Sequence, residues 1–296
     1  MQESLQSFTD SHKTLLEDKM REYVNQLEAP SIIKESMLYS LEAGGKRIRP
    51  LLLFATLAAF NQDTKIGLNT AAALEMVHTY SLIHDDLPSM DDDDLRRGKP
   101  TNHKVFGEAY AVLAGDALLT YSFQLIAETS AEDATADAKL AIIKEFSKAA
   151  GAEGMVGGQV ADIDGEEKQL SLPELEYIHV HKTGKLLAFG VIAGAILSGA
   201  DEEKIHLLTE FAMHLGLAFQ IRDDILDLEG SVEMIGKPVG SDEVNHKSTY
   251  PSLLTMDGAK KALVEHTTLA KAKLAETGLN TFFLEEITDM LAVRNH

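Results

Sequence analysis

Six aspartates fall within ten residues, Asp85 to Asp94, in the stretch SLIHDDLPSMDDDDLRRG (81–98). They follow an apolar helical run and precede Arg96 and Arg97. The C-terminal end of a helix already carries partial negative charge, so each aspartate there costs from a few tenths to about 1 kcal/mol. Clustered carboxylates also repel and raise one another's pKa. Something positive must offset this. A second acidic motif, IRDDILD (221–227), closes another apolar run and echoes Ile83–Asp86. Asp223 and Asp227 are four apart and share one helical face. Asp85 and Asp91 would not align on a straight helix. Pro88 between them should end or kink it, and the chain could then fold back and return Asp91 towards Asp85. Carboxylates alone, in a chain without cysteine and without a regular histidine pattern, suit Mg²⁺, which keeps waters and bridges to substrate phosphates. Singly, each motif is also explained as a solvated acidic loop or an exposed helix face. Together they read as a diphosphate site held through metal. EF-hand spacing is not present.

A diphosphate needs further cations. Gly44-Gly45-Lys46-Arg47-Ile48-Arg49-Pro50 provides a flexible turn and three cations in four residues. Glycine lets a backbone approach an anion, and arginine offers a bidentate fork. A basic first turn on a surface helix would look the same. Arg96-Arg97 follows the first acidic motif, and Lys182-Thr183-Gly184 interrupts a helical run at an expected kink. Gly236-Lys237-Pro238 and Lys247-Ser248-Thr249 lie in a loop after the second motif. No P-loop pattern occurs.

The elements that must position these groups are helical. Apolar residues recur at helical spacing almost throughout, prolines number seven, and no alternating strand pattern stands out. The spacing predicts helices over about 10–28, 32–43, 48–60, 66–87, 103–128, 137–150, 152–163, 171–199, 201–229, 248–256, 258–276 and 281–293. No linker is long or polar enough to divide them, so one all-α bundle over residues 1–296 is expected. The small-residue stretches GMVGGQVA (154–161) and FGVIAGAILSGA (189–200) would let helices approach closely. Tyr80, five residues before Asp85, lies about 140° round the helix and about 7.5 Å along it. Ser81 is small and on nearly the same side as Asp85. His78 on its own reads equally as a core histidine.

The formal net charge of −20 argues against a general nucleic-acid surface and against attraction to anionic membranes. The polar N-terminus has no apolar signal core. The longest apolar run, Leu186 to Ala200, is shorter than the roughly 20 residues of a bilayer span. A cytoplasmic protein is expected.

GGKRIRP, HTYSLIHDDLPSMDDDDLRRG, HKTG, FQIRDDILD and GKPVGSD, in this order, resemble the bacterial farnesyl diphosphate synthases, a group of trans-prenyltransferases, over roughly residues 30–255. The resemblance implies an all-α fold around a central cavity, a homodimer and three Mg²⁺ ions. It implies that Asp85, Asp86 and Asp91 hold two ions and Asp223, with Asp224 and Asp227, the third. Arg96, Lys182 and Lys237 would contact the allylic diphosphate. Lys46, Arg49, His78 and Arg97, with Gly45 close by, would hold isopentenyl diphosphate. Thr183 and Gln220 would face the allylic cation. Tyr80 and Ser81 would set chain length, the aromatic ring favouring fifteen carbons over the twenty of a geranylgeranyl diphosphate synthase. The first 30 residues carry no motif. Three alternatives carry less of the sequence. A di-iron bundle would use pairs such as Glu75-x-x-His78, Glu176-x-x-His179 and Glu243-x-x-His246, but leaves both aspartate motifs unexplained. A terpene cyclase needs no second phosphate site, and a silent regulatory subunit needs no complete motifs.

Overall fold

The computed structural model describes residues 3–166, 168–229 and 248–293. The helices, in chain order, are α1 (Leu5–Gln26), α2 (Ser31–Leu41), α3 (Ile48–Ala59), α4 (Leu68–Asp85), α5 (Asn102–Phe106), α6 (Glu108–Ala127), α7 (Ala136–Ala150), α8 (Met155–Gly165), α9 (Leu172–Ile178), α10 (Lys185–Leu197), α11 (Glu202–Glu229), α12 (Tyr250–Glu276) and α13 (Phe282–Val293). A 3₁₀ turn, Thr64–Gly67, precedes α4, and a π-helix, His179–Gly184, joins α9 to α10. Among the described residues the strands are the two-residue β1 (Leu95–Arg96) and β2 (Lys99–Pro100), paired antiparallel. The fold class is all-α, as the periodicity predicts.

Two expected elements are arranged differently, and a third run needs its context. The helix expected over 103–128 breaks at Gly107 (φ +88°), a conformation that glycine tolerates and other residues resist. The two helices expected over 248–276 are one helix kinked at Thr255 (φ +68°). The apolar run of residues 186–200 belongs to a helical stretch, Leu172–Leu197. By length and composition alone, that stretch and α6 could cross a bilayer. In this fold Leu186 to Val191 are core residues.

The chain divides into two compact units. The first comprises Met1–Phe54 and Thr64–Ile143; the second comprises Ala55–Asp63 and Lys144–His296. In the first unit α4 packs against α6, with α1 and α2 beside it, and residues 70–77 of α4 are all buried. Glu75 lies in that stretch, 2% exposed, and pairs with Arg47 at 2.6 Å. In the second unit α11 packs along α12 and against α10. Ile221, Ile225, Tyr250 and Leu263 form its core beside Leu175. Ser171 and Glu174 close a capping box on α9, and Thr249 and Ser252 close one on α12. Each satisfies amide groups that a helix start leaves unpaired.

Candidate active site

Helix α4 delivers the first motif from the core to its edge. Asp85 is its last residue, and Asp86 still donates its N–H to the Leu82 carbonyl (3.1 Å). Beyond Pro88 the chain reverses. The Asp91 N–H donates to the Asp85 carbonyl (2.9 Å) and the Asp92 N–H to that of Leu87 (3.1 Å). Asp91 thus returns to Asp85, the turn that Pro88 suggests. Arg97 and Gly98, with φ of +54° and +76°, form the tight turn between β1 and β2. Positive φ at both central positions suits the right-handed twist of a hairpin. Arg96 donates from Nε to Asp86 Oδ1 (2.9 Å), with Nη2 on the same oxygen, and lies 3.3 Å from Asp93. A guanidinium therefore offsets part of the charge on a carboxylate that is 3% exposed.

The other cations gather about the glycine turn of the first unit. Gly44 (φ +92°) and Gly45 (φ +130°) open the loop, and Arg97 donates from Nη1 to the Gly44 carbonyl. A Cβ on Gly45 would stand 2.8 Å from the Arg97 guanidinium and would push it aside, and φ +130° itself favours glycine. Arg49 Nε is buried and has no hydrogen-bond partner among the described residues. Burial lowers the Arg49 pKa to about 10, leaving it charged at neutral pH. Burial first, and then the charges of Arg49, Arg97, Arg47 and Arg96, hold His78 well below the usual histidine value. His78 is neutral, beside a concentration of positive charge. Arg47 is different. Its side chain is 1% exposed and binds Glu75, Glu17 (3.0 Å) and the Leu41 carbonyl (2.6 Å). It is spent inside the fold, and sequence alone does not distinguish it from Lys46 and Arg49.

In the second unit the π-helix carries Lys182 and Thr183. Glycine makes this geometry possible. A Cβ on Gly158 of α8 would run into the Lys182 backbone, and one on Gly216 of α11 would stand 3.0 Å from Gly184 Cα. The small residues of 154–161 thus bring α8 against the π-helix. Lys182 Nζ is held by Asp162 (2.6 Å). Thr183 Oγ1 donates to Gln220 Oε1 (3.3 Å), and Gln220 Nε2 donates to Asp223 Oδ2 (3.2 Å). Three predicted site residues form one chain of contacts. Asp224, 6% exposed, is occupied elsewhere: it accepts from His179 Nε2 (3.2 Å) and from the Tyr250 N–H (2.8 Å). Asp227 is half-buried one turn further on. Lys237 and Glu243-x-x-His246 lie outside the described residues.

Tyr80 is 7% exposed and meets the His84 ring edge-on at 5.6 Å. Burial, with Asp85 nearby, pushes its hydroxyl pKa up to about 12. Ser81 donates to the His78 carbonyl (2.8 Å). Glu75 is committed to Arg47 and Glu176 to the Tyr250 hydroxyl (2.9 Å), so neither serves the Glu-x-x-His metal pairs. Motif spacing missed Asp162, and offered His179 only as half of a metal pair. Asp162 stands four residues after Gly158, which is the nearest signal for it.

The donor chemistry fits magnesium. Both motifs offer hard carboxylate oxygens, and the turn that returns Asp91 to Asp85 gathers them at a helix end. Among the described residues no three carboxylate or imidazole groups close a metal shell by themselves.

The chain is 57% identical over 293 residues to a farnesyl diphosphate synthase of Geobacillus stearothermophilus, covering 99% of each chain. It is 56% identical over 296 residues to a farnesyl diphosphate synthase of Bacillus subtilis (strain 168), covering both in full. The crystal structure of an FPP/GFPP synthase from Zymomonas mobilis superposes with a TM-score of 0.87 at 34% identity, covering 98% of this chain and 99% of the other. The polyprenyl synthetase family matches residues 30–279, and with relatives this similar over the full length the chain belongs to that family.

Proposed function

We propose that this chain is a farnesyl diphosphate synthase, a single catalytic domain that joins isopentenyl diphosphate head to tail with dimethylallyl or geranyl diphosphate. The observation that carries the reading is the buried side chain of Arg49, whose Nε has no partner among the described residues. A buried guanidinium nitrogen without a partner, beside a neutral imidazole and other arginines, is what an anion site needs before its anion arrives. The full-length relatives from Geobacillus and Bacillus bear this activity in name.

The reaction begins as the allylic C–O bond breaks and its electron pair leaves with diphosphate. Magnesium, held by Asp85, Asp86 and Asp91 and by Asp223 with Asp227, would supply Lewis-acid neutralisation of that leaving group. Arg96 and Lys182 add positive charge where negative charge develops, and the sequence resemblance assigns Lys237 the same part. Thr183 and Gln220 offer polar oxygens to the allylic cation. Lys46, Arg49, His78 and Arg97 orient isopentenyl diphosphate, with Gly45 allowing close backbone approach. Its double bond attacks the cation, a carbon–carbon bond forms, and a proton is lost to the departed diphosphate. Tyr80 sets the depth available to the growing tail, favouring fifteen carbons.

A cytoplasmic homodimer is part of the reading. Tyr110 and Leu113, exposed at 44% and 52% on α6, support a second copy as the cover of that face. The deciding experiment is chromatography of products from labelled isopentenyl diphosphate with each allylic primer, with and without EDTA. Magnesium-dependent farnesyl diphosphate is expected. A C20 product would make the chain a geranylgeranyl diphosphate synthase, and no condensation would reject the reading.

A further inference from the structure

We propose that Asp224 is a positioning residue rather than a metal ligand, and that with His179 it ties the second acidic motif to the π-helix and to the first turn of α12. The inference rests on the proposed reaction for its catalytic consequence and on geometry alone for its structural one.

Asp224 Oδ2 receives two donors, the Tyr250 N–H at 2.8 Å and His179 Nε2 at 3.2 Å. A carboxylate can only accept, so His179 carries its proton on Nε2. Asp86 Oδ1 also receives two donors, but both come from Arg96 of its own motif; those of Asp224 come from two other elements and hold it away from the rest of the motif. Asp224 stands about 100° round α11 from Asp223 and is buried, whereas Asp223 receives Gln220. The His179 ring lies nearly parallel to that of Tyr250, with 8° between planes and 5.9 Å between centroids. The Tyr250 hydroxyl donates to Glu176 at 2.9 Å. Glu176, His179, Asp224 and Tyr250 therefore close a ring of contacts among α9, the π-helix, α11 and α12.

The placement has an electrostatic reason. Tyr250 is the first residue of α12, and its N–H is one of the donors a helix start leaves unpaired. The Thr249–Ser252 capping box serves others. A carboxylate here also meets the positive end of the helix dipole. Asp224 is thus an N-terminal anion for α12 supplied from α11. Held there, it fixes the rotation of the motif that presents Asp223. Through His179 it also fixes the helical turn that presents Lys182, three residues later.

Two measurements on the full chain test this. In metal-free protein, Asp224→Ala should speed hydrogen exchange of the Tyr250 amide by about 10- to 150-fold, the loss of one bond to a charged acceptor. Asp223→Ala should leave it unchanged. His179→Ala should also speed it, and His179→Gln, which keeps an N–H donor, should restore protection. In calorimetry with Mg²⁺ and inorganic diphosphate, Asp223→Ala should weaken metal binding and Asp224→Ala should not, although Asp224→Ala lowers kcat. An unchanged Tyr250 exchange rate in Asp224→Ala overturns the proposal. So does a loss of Mg²⁺ binding equal to that of Asp223→Ala. If the parent forms no prenyl product the proposed reaction fails, while the exchange measurement still decides the network.

Discussion

Arg47 is the sharpest point at which structure and motif part. It sits between Lys46 and Arg49, which are assigned to substrate, yet its guanidinium lies in the core against Glu75 at 2.6 Å, with side chains 1% and 3% exposed. Breaking a buried ion pair by removing one partner costs about 3–5 kcal/mol, because the other charge is left uncompensated. Arg47→Met should cost that much. Glu17 at 3.0 Å and the Leu41 carbonyl at 2.6 Å lose their donor as well, which places the expectation at the upper end. For a chain of this size, about 2–4 °C per kcal/mol makes the loss roughly 10–20 °C in Tm. Removing both charges behaves differently. A paired Arg47→Met and Glu75→Leu variant should recover much of the loss, since replacing a buried pair with apolar side chains is often neutral or better. The assay is thermal and urea denaturation of parent, both single variants and the double, read as a cycle. An Arg47→Met protein as stable as the parent, with only its KM for isopentenyl diphosphate raised, would refute the reasoning and return Arg47 to the substrate pocket.

Arg49→Ala should do the reverse, leaving the fold intact and weakening isopentenyl diphosphate by about 10- to 150-fold; equal weakening of both substrates in steady-state kinetics counts against the assignment. Tyr80→Ala should stay active and release products longer than fifteen carbons; an unchanged product profile, read by chromatography, means the ring is only core packing. The half-buried rings of His214 and His266, Nδ1 to Nδ1 at 3.0 Å, have lowered pKa values, burial being the main cause. The unfolded chain then binds more protons than the folded one below pH 6.5, so their share of stability is complete above that pH and is lost as pH falls. Urea midpoints at pH 7.5 and 5.5 should converge in His266→Asn relative to the parent, and an unchanged pH difference rejects the pair as its source.

The helices were legible because apolar spacing survives whatever the tertiary context. The return of Asp91 to Asp85 was legible because Pro88 constrains its own backbone. What could not be read depended on partners far along the chain. Arg47 and Arg49 are the same residue type two positions apart, and only Glu75 and Glu17 separate their roles. Asp224 looks like its neighbours in the motif until Tyr250, 26 residues on, donates to it. His179 invited a metal pairing with Glu176, since a Glu-x-x-His spacing says nothing of which way either side chain turns. The break at Gly107 was missed because a lone glycine within an apolar helical pattern is often tolerated.

The π-helix at His179–Gly184 also governs how the stretch from Leu172 to Leu197 can change. A π segment closes i→i+5 rather than i→i+4, so it stores one residue more than the α-helix around it. That residue advances everything after Gly184 by about 100° in phase relative to α9. α10 is buried on every side, Leu186 to Val191 all lying in the core, whereas α9 buries Leu175 and Ile178 and exposes Tyr177, so the phase shift changes which neighbours each α10 side chain meets rather than which face it hides. Loss of one residue between 179 and 184 would relax the segment to ordinary α-helix and turn one half against its neighbours. Substitutions are accepted on the exposed side of α9, at Pro173 and Tyr177, but the length of the stretch is fixed.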